Sequence, residues 1–286
     1  GTRLVAETHL ATIAHLVAAH RQHLVRTTLD RPQVLVIPVG VQSAHVRPAL
    51  GAIACPQHRL LFAQTAHVDP GMQGSAVSFD SAWGSGAFAT TMPGDFNVAN
   101  AALVLALLLN KGVALEPACE VVSLVSGPPG RMQRVAKDGP AVYVDYAHTP
   151  QALESVLQTL RAHCVGTLWC VFGCGGDRDP GKRPQMGEAA ERGGDRVVIT
   201  SDNPRGEDPA TIIAEVLTGL ARPGEAVLIE DRAAAIAWTV AQAATNDVVL
   251  IAGKGHEAYQ ETGTGRVPFS DYAVAKRALA ARGSAS

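Results

Sequence analysis

The sequence predicts an α/β fold with a mostly parallel sheet in its second half, and three observations predict it. Short apolar runs recur at Ala141–Val144, Leu168–Phe172, Arg196–Thr200, Ala226–Ile229 and Val248–Ala252, and they read as strands buried on both faces. Helical patterns alternate with these runs, which is the signature of right-handed crossovers in a doubly wound sheet. Four of the strands lead into polar loops: Asp145-Tyr146-Ala147-His148, Gly173-Cys174-Gly175-Gly176-Asp177-Arg178, Ser201-Asp202-Asn203-Pro204-Arg205 and Gly253-Lys254-Gly255-His256-Glu257. In a parallel sheet such loops leave one edge, the carboxyl edge, where ligands bind.

Element by element, residues 9–26 carry Leu10, Ile13, Leu16, Val17 and Leu24 at near-helical spacing. Val34–Ile37 reads as a buried strand and Leu60–Ala63 as another. Val77, Phe79, Trp83-Gly84-Ser85-Gly86 and Phe88 predict a hairpin with a glycine-bearing turn. Asn97–Leu109 is a dense Ala/Leu/Val helix in which Asn97 fits the N-cap and Gly112 the left-handed close. Ser126-Gly127-Pro128-Pro129-Gly130 is the strongest turn cluster and marks a domain boundary, giving units 1–127 and 128–286. Beyond it, Thr149, Asp208, Asp231 and Ser270 cap helices, with Pro150 and Pro209 at the first helical position of two of them. Residues 183–192 read as a further helix.

The bulk numbers narrow the function. The 286 residues leave room for roughly two domains at about 150 residues each. With 47% hydrophobic and 17% charged residues the chain builds a core rather than staying disordered. A net charge of -2 argues against a nucleic-acid partner gripped by a basic face. Five irregularly spaced cysteines (Cys55, Cys119, Cys164, Cys170, Cys174) read as reduced thiols of a cytoplasmic protein, and Cys170 and Cys174 lack the C-x-x-C spacing of a metal or redox pair. No leader pattern precedes the first helix, and Ala101–Leu109 falls short of the roughly 20 residues that span a bilayer. The chain opens on Gly1 and ends in Gly283-Ser284-Ala285-Ser286, as an excised fragment would.

The loops carry chemistry, each with a plainer reading beside it. Gly173–Gly176 fits a phosphate cradle or a tight turn. Arg178 sits at the ligand edge, where its fork suits a carboxylate, although the run around it also fits a solvated surface. Pro204 stiffens a loop in which Asp202 accepts from an ammonium, Asn203 donates and accepts, and Arg205 grips a carboxylate. Gly253 and Gly255 allow close backbone approach, and Glu257 offers a second ammonium partner. Asn100 in the first turn of its helix suits a base contact, and Arg131 a phosphate or open solvent. Together the loops describe a site for a small zwitterion with several carboxylates and amines.

Gly94-Asp95-Phe96-Asn97-Val98-Ala99-Asn100, Gly130-Arg131-Met132, Asp145 to Pro150, Phe172 to Asp179, Asp202 to Arg205 and Gly253 to Glu257 stand in a familiar order and spacing. Over about residues 76–286 the chain resembles the Mur ligase family, and within it the UDP-N-acetylmuramoyl-L-alanyl-D-glutamate–2,6-diaminopimelate ligases of peptidoglycan synthesis. The resemblance implies a Rossmann-like C-terminal amino-acid-binding domain over 128–286, preceded by a partial α/β central ATPase domain over 1–127, in which residues 1–66 have no assignment. It implies a monomer that forms an acyl phosphate from ATP and a D-glutamate side chain, which the amino group of the incoming amino acid then attacks. It places Arg178, Asp202, Asn203, Pro204, Arg205, Gly253 and Glu257 on meso-diaminopimelate, and Asn100, Arg131, Asp145 and His148 on ATP, with Asp145 at the ribose. Mg2+ accompanies ATP in the family; no metal ligand is assigned here. The family's Gly-Thr-x-Gly-Lys-Thr phosphate loop, its carboxylated lysine and its UDP-substrate domain find no counterpart in the sequence. The expectation is a truncated form that keeps the diaminopimelate crevice and has little activity alone. Two alternatives stand beside it: a non-catalytic amino-acid- or partner-binding module, and a lysine-adding or folate-glutamylating relative.

Overall fold

A computed structural model describes residues 63–71, 74–136 and 139–283. The expected helix over residues 9–26 and the strand Val34–Ile37 lie outside those residues, as does Cys55. From the run Leu60–Ala63, only Ala63 is described.

The first unit is an antiparallel meander, β1 (Ala63–Gly71), β2 (Gly74–Ser81) and β3 (Gly84–Thr90). Along β2, buried Val77 and Phe79 alternate with exposed neighbours, so one face turns to the core. That face packs on helices α1 (Asp95–Asn110) and α2 (Leu115–Leu124) through Phe88, Val98, Leu105, Leu109, Ala118 and Val122. The predicted hairpin is therefore β2–β3. The cap of α1 differs from expectation. Gly94, at φ +102, holds the N-cap position, while Asn97 lies inside the first turn, buried, with its amide donating to the Pro93 carbonyl at 2.8 Å. Asn100 consequently sits in the second turn, exposed.

From residue 133 onward the fold is a six-stranded sheet. Its strands are β4 (Gln133–Arg134), β5 (Ala141–Asp145), β6 (Leu168–Phe172), β7 (Arg196–Ile199), β8 (Val227–Leu228) and β9 (Val248–Ala252), in the order β4-β5-β9-β6-β7-β8. Only β4 runs antiparallel. Every residue of β5, β6 and β9 is buried, the consequence of helices on both faces. Helices α3 (Pro150–Arg161), α4 (Lys182–Gly193) and α5 (Pro209–Leu217) cover one face with Leu153, Leu157, Met186, Ile213 and Val216. Helices α6 (Arg232–Gln242) and α7 (Asp271–Gly283) cover the other with Ile236, Val240 and Val274. The caps act as the sequence predicts. Thr149 accepts from the Ala152 N–H, Asp208 from Ala210, Asp231 from Ala234 and Ser270 from Ala273.

The chain leaves β5, β6 and β7 toward the α3–α5 face. It leaves β9 toward α7 on the opposite face, first making a hairpin of β10 (Tyr259–Thr262) and β11 (Gly265–Pro268). Strand β9 lies between β5 and β6, so loops diverge on both sides of it and leave a crevice at the carboxyl edge.

Behind that edge lies a fully buried ion pair. Arg232 donates to both carboxylate oxygens of Asp271 at 2.7 and 2.8 Å, and to the carbonyls of Ser201 and Ala252 at 3.2 and 2.9 Å. It therefore ties the ends of β7 and β9 to the starts of α6 and α7. Arg232→Met leaves Asp271 buried without its counter-ion, and we expect it to destabilise the fold by about 3–5 kcal/mol. Denaturant unfolding of the variant against the parent measures this, and a loss below about 1 kcal/mol contradicts it.

Candidate functional site

The loops after β6 and β7 are laced together. The Gly176 N–H donates to the Asn203 carbonyl at 2.9 Å, and Arg205 Nη1 donates to the Gly176 carbonyl at 2.7 Å. The Gly206 N–H donates to the Asp177 carboxylate, and the Asp177 N–H to Glu207, which in turn binds the buried Arg183. Arg205 adopts the left-handed backbone, φ +51, rare for a residue with a side chain. The hairpin β10–β11 holds it there: its N–H donates to the Glu261 carbonyl at 3.0 Å and its Nε to the Glu261 carboxylate at 3.1 Å. Gly175 leaves room between two arginines. A Cβ at that position would lie 3.0 Å from Arg205 Nη1 and 3.7 Å from Arg178 Cγ. Arg178 is exposed, and among the described residues its guanidinium donates only to the neighbouring Asp177 carbonyl.

The acidic half stands beside it. Asp202 is buried against Gly253, where a Cβ would come within 2.6 Å of its carboxylate. Arg232 lies 4.0 Å away, and among the described residues no hydrogen bond is donated to that carboxylate. Burial pushes the Asp202 carboxyl above its ordinary range, opposed by the charges of Arg232 and Lys254. Glu257 accepts from Asn203 Nδ2 and Lys254 Nζ, each at 2.9 Å. Burial pushes its carboxyl up too, but these two donors, with the charges of Lys254 and Arg205, outweigh it and hold the group below the usual carboxylate range. Asn203 is spent inside the protein, since its Oδ1 accepts from Lys254 Nζ at 2.8 Å and from the Glu261 N–H at 2.9 Å. Pro204 is buried behind the pair.

A second group of side chains gathers around Tyr146. The Arg131 guanidinium lies 4.8 Å from the ring centre, His148 meets the ring edge-on at 4.6 Å, and His256 lies at 5.6 Å. Asp145 is less available than its sequence position suggests. It is buried, and its two oxygens accept the Met132 and Ala147 N–H groups at 2.8 Å each. Burial pushes its carboxyl up against those donors and the Arg131 charge. Its visible work is to pin Met132, at φ +44, and so to set Arg131 in place. Asn100, exposed on α1, shares no hydrogen bond or ring contact with this group among the described residues.

Sequence reasoning assigned no role to Lys254, Tyr146 or Glu261. Lys254 lay within a quoted motif, but nothing in the string marks its ammonium as buried. Glu261 belongs to a hairpin signalled only by a glycine-bearing turn and alternation around Tyr259 and Val267.

Residues 130–255 match the family described as Mur ligase, glutamate ligase domain. The UDP-N-acetylmuramoyl-L-alanyl-D-glutamate–2,6-diaminopimelate ligase of Janthinobacterium sp. (strain Marseille) is 48% identical over 214 residues, covering 73% of this chain and 42% of that protein. The chain belongs to the Mur ligase family. A solved structure of a ligase with that same description superimposes with a TM-score of 0.61 at 43% identity, over 76% of this chain and 45% of the other. The UDP-N-acetylmuramate-alanine ligase of Thermotoga maritima shares the fold at 21% identity, with a TM-score of 0.56 over 77% and 45% of the two chains. This Mur ligase chain thus spans less than half the length of the relatives it matches.

Cys174 lies within the glycine loop of the Mur ligase crevice, and Cys170 at its base in β6. Burial pushes both thiols up to about 12, far from the reactive thiolate. We expect both to stay unlabelled by iodoacetamide at about pH 8 in the native protein and to label once it is unfolded. Peptide mapping reads this, and native labelling of Cys174 contradicts it.

Proposed function

We propose that this chain supplies the amino-acid-binding part of an ATP-dependent ligase. The ligase adds meso-2,6-diaminopimelate to UDP-N-acetylmuramoyl-L-alanyl-D-glutamate in peptidoglycan synthesis, in the cytoplasm. One observation carries the reading. Arg178 and Arg205 flank Gly175 on the loops after β6 and β7, and Asp202 and Glu257, close enough for their charges to repel, stand on the loops after β7 and β9 at the same carboxyl edge of the sheet. Buried Asp202 and Asp271 and half-buried Glu257 together carry one more negative charge than Arg232 and Lys254, the cations buried beside them, supply. An ammonium placed between Asp202 and Glu257 supplies the missing positive charge and gives Asp202 the hydrogen-bond donor it lacks. Arg178 and Arg205 Nη2, which makes no hydrogen bond among the described residues, take carboxylates. Diaminopimelate carries one more carboxylate than lysine, and an arginine awaiting that group is left unpaired by lysine. The names of these relatives support the same substrate.

In this reading the chain's own residues orient the attacking amino group, while ATP, when bound, supplies activation of the acceptor carboxylate. Arg131, stacked on Tyr146 beside His148 and His256, fits the nucleotide side through phosphate charge and ring contact. Asp145 fits a ribose poorly, because backbone donors already occupy it. For Mg2+ the residues do not fit: among those described, no group of three or more His, Cys, Asp or Glu side chains is arranged to hold a metal. The phosphate-loop string that would accompany it is missing from the sequence. No helix among the described residues is long and apolar enough to cross a membrane.

Titration calorimetry on the 286-residue chain tests the proposal. We expect meso-diaminopimelate to bind without nucleotide, and lysine to bind at least about tenfold more weakly. Arg178→Ala and Arg205→Ala should each weaken diaminopimelate by about 10- to 100-fold. A parent chain that binds neither amino acid, or lysine as well as diaminopimelate, contradicts it. With all three substrates we expect no ADP release above background, and robust release dependent on diaminopimelate would overturn that expectation.

A further inference from the structure

Lys254 is the one lysine among the described residues with no exposed side chain, and it sits directly behind the acidic pocket. The backbone around it is bent to put it there. Gly253 and Gly255 take φ +113 and +54, and a Cβ on Gly255 would press to 2.7 Å from Tyr146 Cβ. The ammonium then donates to Asn203 Oδ1 at 2.8 Å and to Glu257 Oε2 at 2.9 Å, with the Tyr259 ring 5.7 Å off. Because Asn203 Oδ1 accepts from Lys254 and from the Glu261 N–H, the amide has one orientation open to it, with Nδ2 on Glu257. One buried cation thereby orders two neighbours.

We propose that Lys254 is a positioning residue of the amino-acid site: it fixes the Asn203 amide and supplies the standing counter-charge that keeps Glu257 ready for the ligand's ammonium. This rests on the crevice being the amino-acid site. The charged groups bearing on Glu257 are Lys254 from its own loop, Asp202 and Arg205 from the loop after β7, and Arg232 from α6. Of these, only Lys254 touches it with a charged donor. Arg205 is engaged by Glu261, and Arg232 by Asp271. With Lys254 removed, desolvation raises the Glu257 carboxyl with less to oppose it. The group then takes up a proton as the pH falls through the mildly acidic range, and the ammonium loses its partner. In the parent protein Glu257 stays ionised across that range.

The test is calorimetric binding of meso-diaminopimelate by the full chain at about pH 7 and about pH 5, where the α-carboxyls of the ligand stay ionised and its amines protonated. Protonation of Asp202, whose carboxyl burial raises, weakens the parent to some degree over this interval, and we expect the affinity of Lys254→Met to fall about tenfold or more beyond the parent's change. In the Glu257→Gln background, where Asp202 is the remaining titrating partner, the added Lys254→Met substitution should steepen the pH profile less than it does beside an intact Glu257. A Lys254→Met profile parallel to the parent's, offset or not, overturns the proposal, because a merely structural lysine weakens binding equally at both pH values. A parent that binds at neither pH overturns the amino-acid site itself. Should Lys254→Met fail to fold by circular dichroism, carboxyl 13C NMR on the unaltered chain decides, with Glu257→Gln assigning the resonance. We expect Glu257 to titrate below the ordinary value of about 4.3, and titration at or above it overturns the proposal.

Discussion

Arg232 has no contact with water, yet the crevice in front of it is organised around its charge. A guanidinium in that position is tolerable only when its donors are matched, and here two carbonyls from strand ends and both oxygens of Asp271 match them. The consequence is geometric. The ends of β7 and β9, which lie on either side of β6, are fixed to the starts of two helices on one face of the sheet. Asp202 and Gly253 follow immediately from those strand ends, so their separation is set by a buried pair and not by the loops themselves. The electrostatics follow from the same arrangement. Arg232 is claimed by Asp271, so it only partly compensates Asp202, which remains a carboxylate short of donors.

The remaining loops are braced by their neighbours in the same way. Arg205 could not keep a left-handed backbone at this half-buried turn without help, since that conformation costs of order 1–3 kcal/mol. The hairpin β10–β11 supplies the help through Glu261, and Gly175 and Gly176 allow the two loops to approach. Asp145 does comparable work beside Tyr146, where a buried carboxylate and two N–H groups set Arg131 against the ring. The division is the same throughout: a rigid edge of strand ends, with polar side chains carried on the loops beyond it.

How much of this was legible in the sequence depended on how local the cause was. Caps and first-turn prolines act within four residues, so Thr149, Asp208, Asp231 and Ser270 placed four helices correctly. Strands buried on both faces announce themselves as continuous apolar runs, and β5, β6 and β9 did. The order β5-β9-β6 carries no local signal, because it depends on which face each crossover takes. Asn97 looked like a cap because the better N-cap, Gly94, owes its position to a φ of +102 and not to a side chain. The hairpin β10–β11 is partly or wholly exposed along its length, and its pairing with Arg205 and Asn203 spans more than fifty residues. Of the candidate site, the polar loops at the carboxyl edge were legible and the division of labour among their side chains was not. Asn203 and Asp145, read as ligand contacts, turn their polar atoms inward, and Lys254, which a string of polar residues and glycines hides, is buried among them.

The most direct test of the account is a crystal structure of the chain with meso-diaminopimelate bound. The account predicts one ammonium of the ligand within hydrogen-bond distance of the Asp202 and Glu257 carboxylates, and a ligand carboxylate on Arg178. A ligand seated elsewhere, or one whose ammonium leaves Asp202 without a donor, contradicts it.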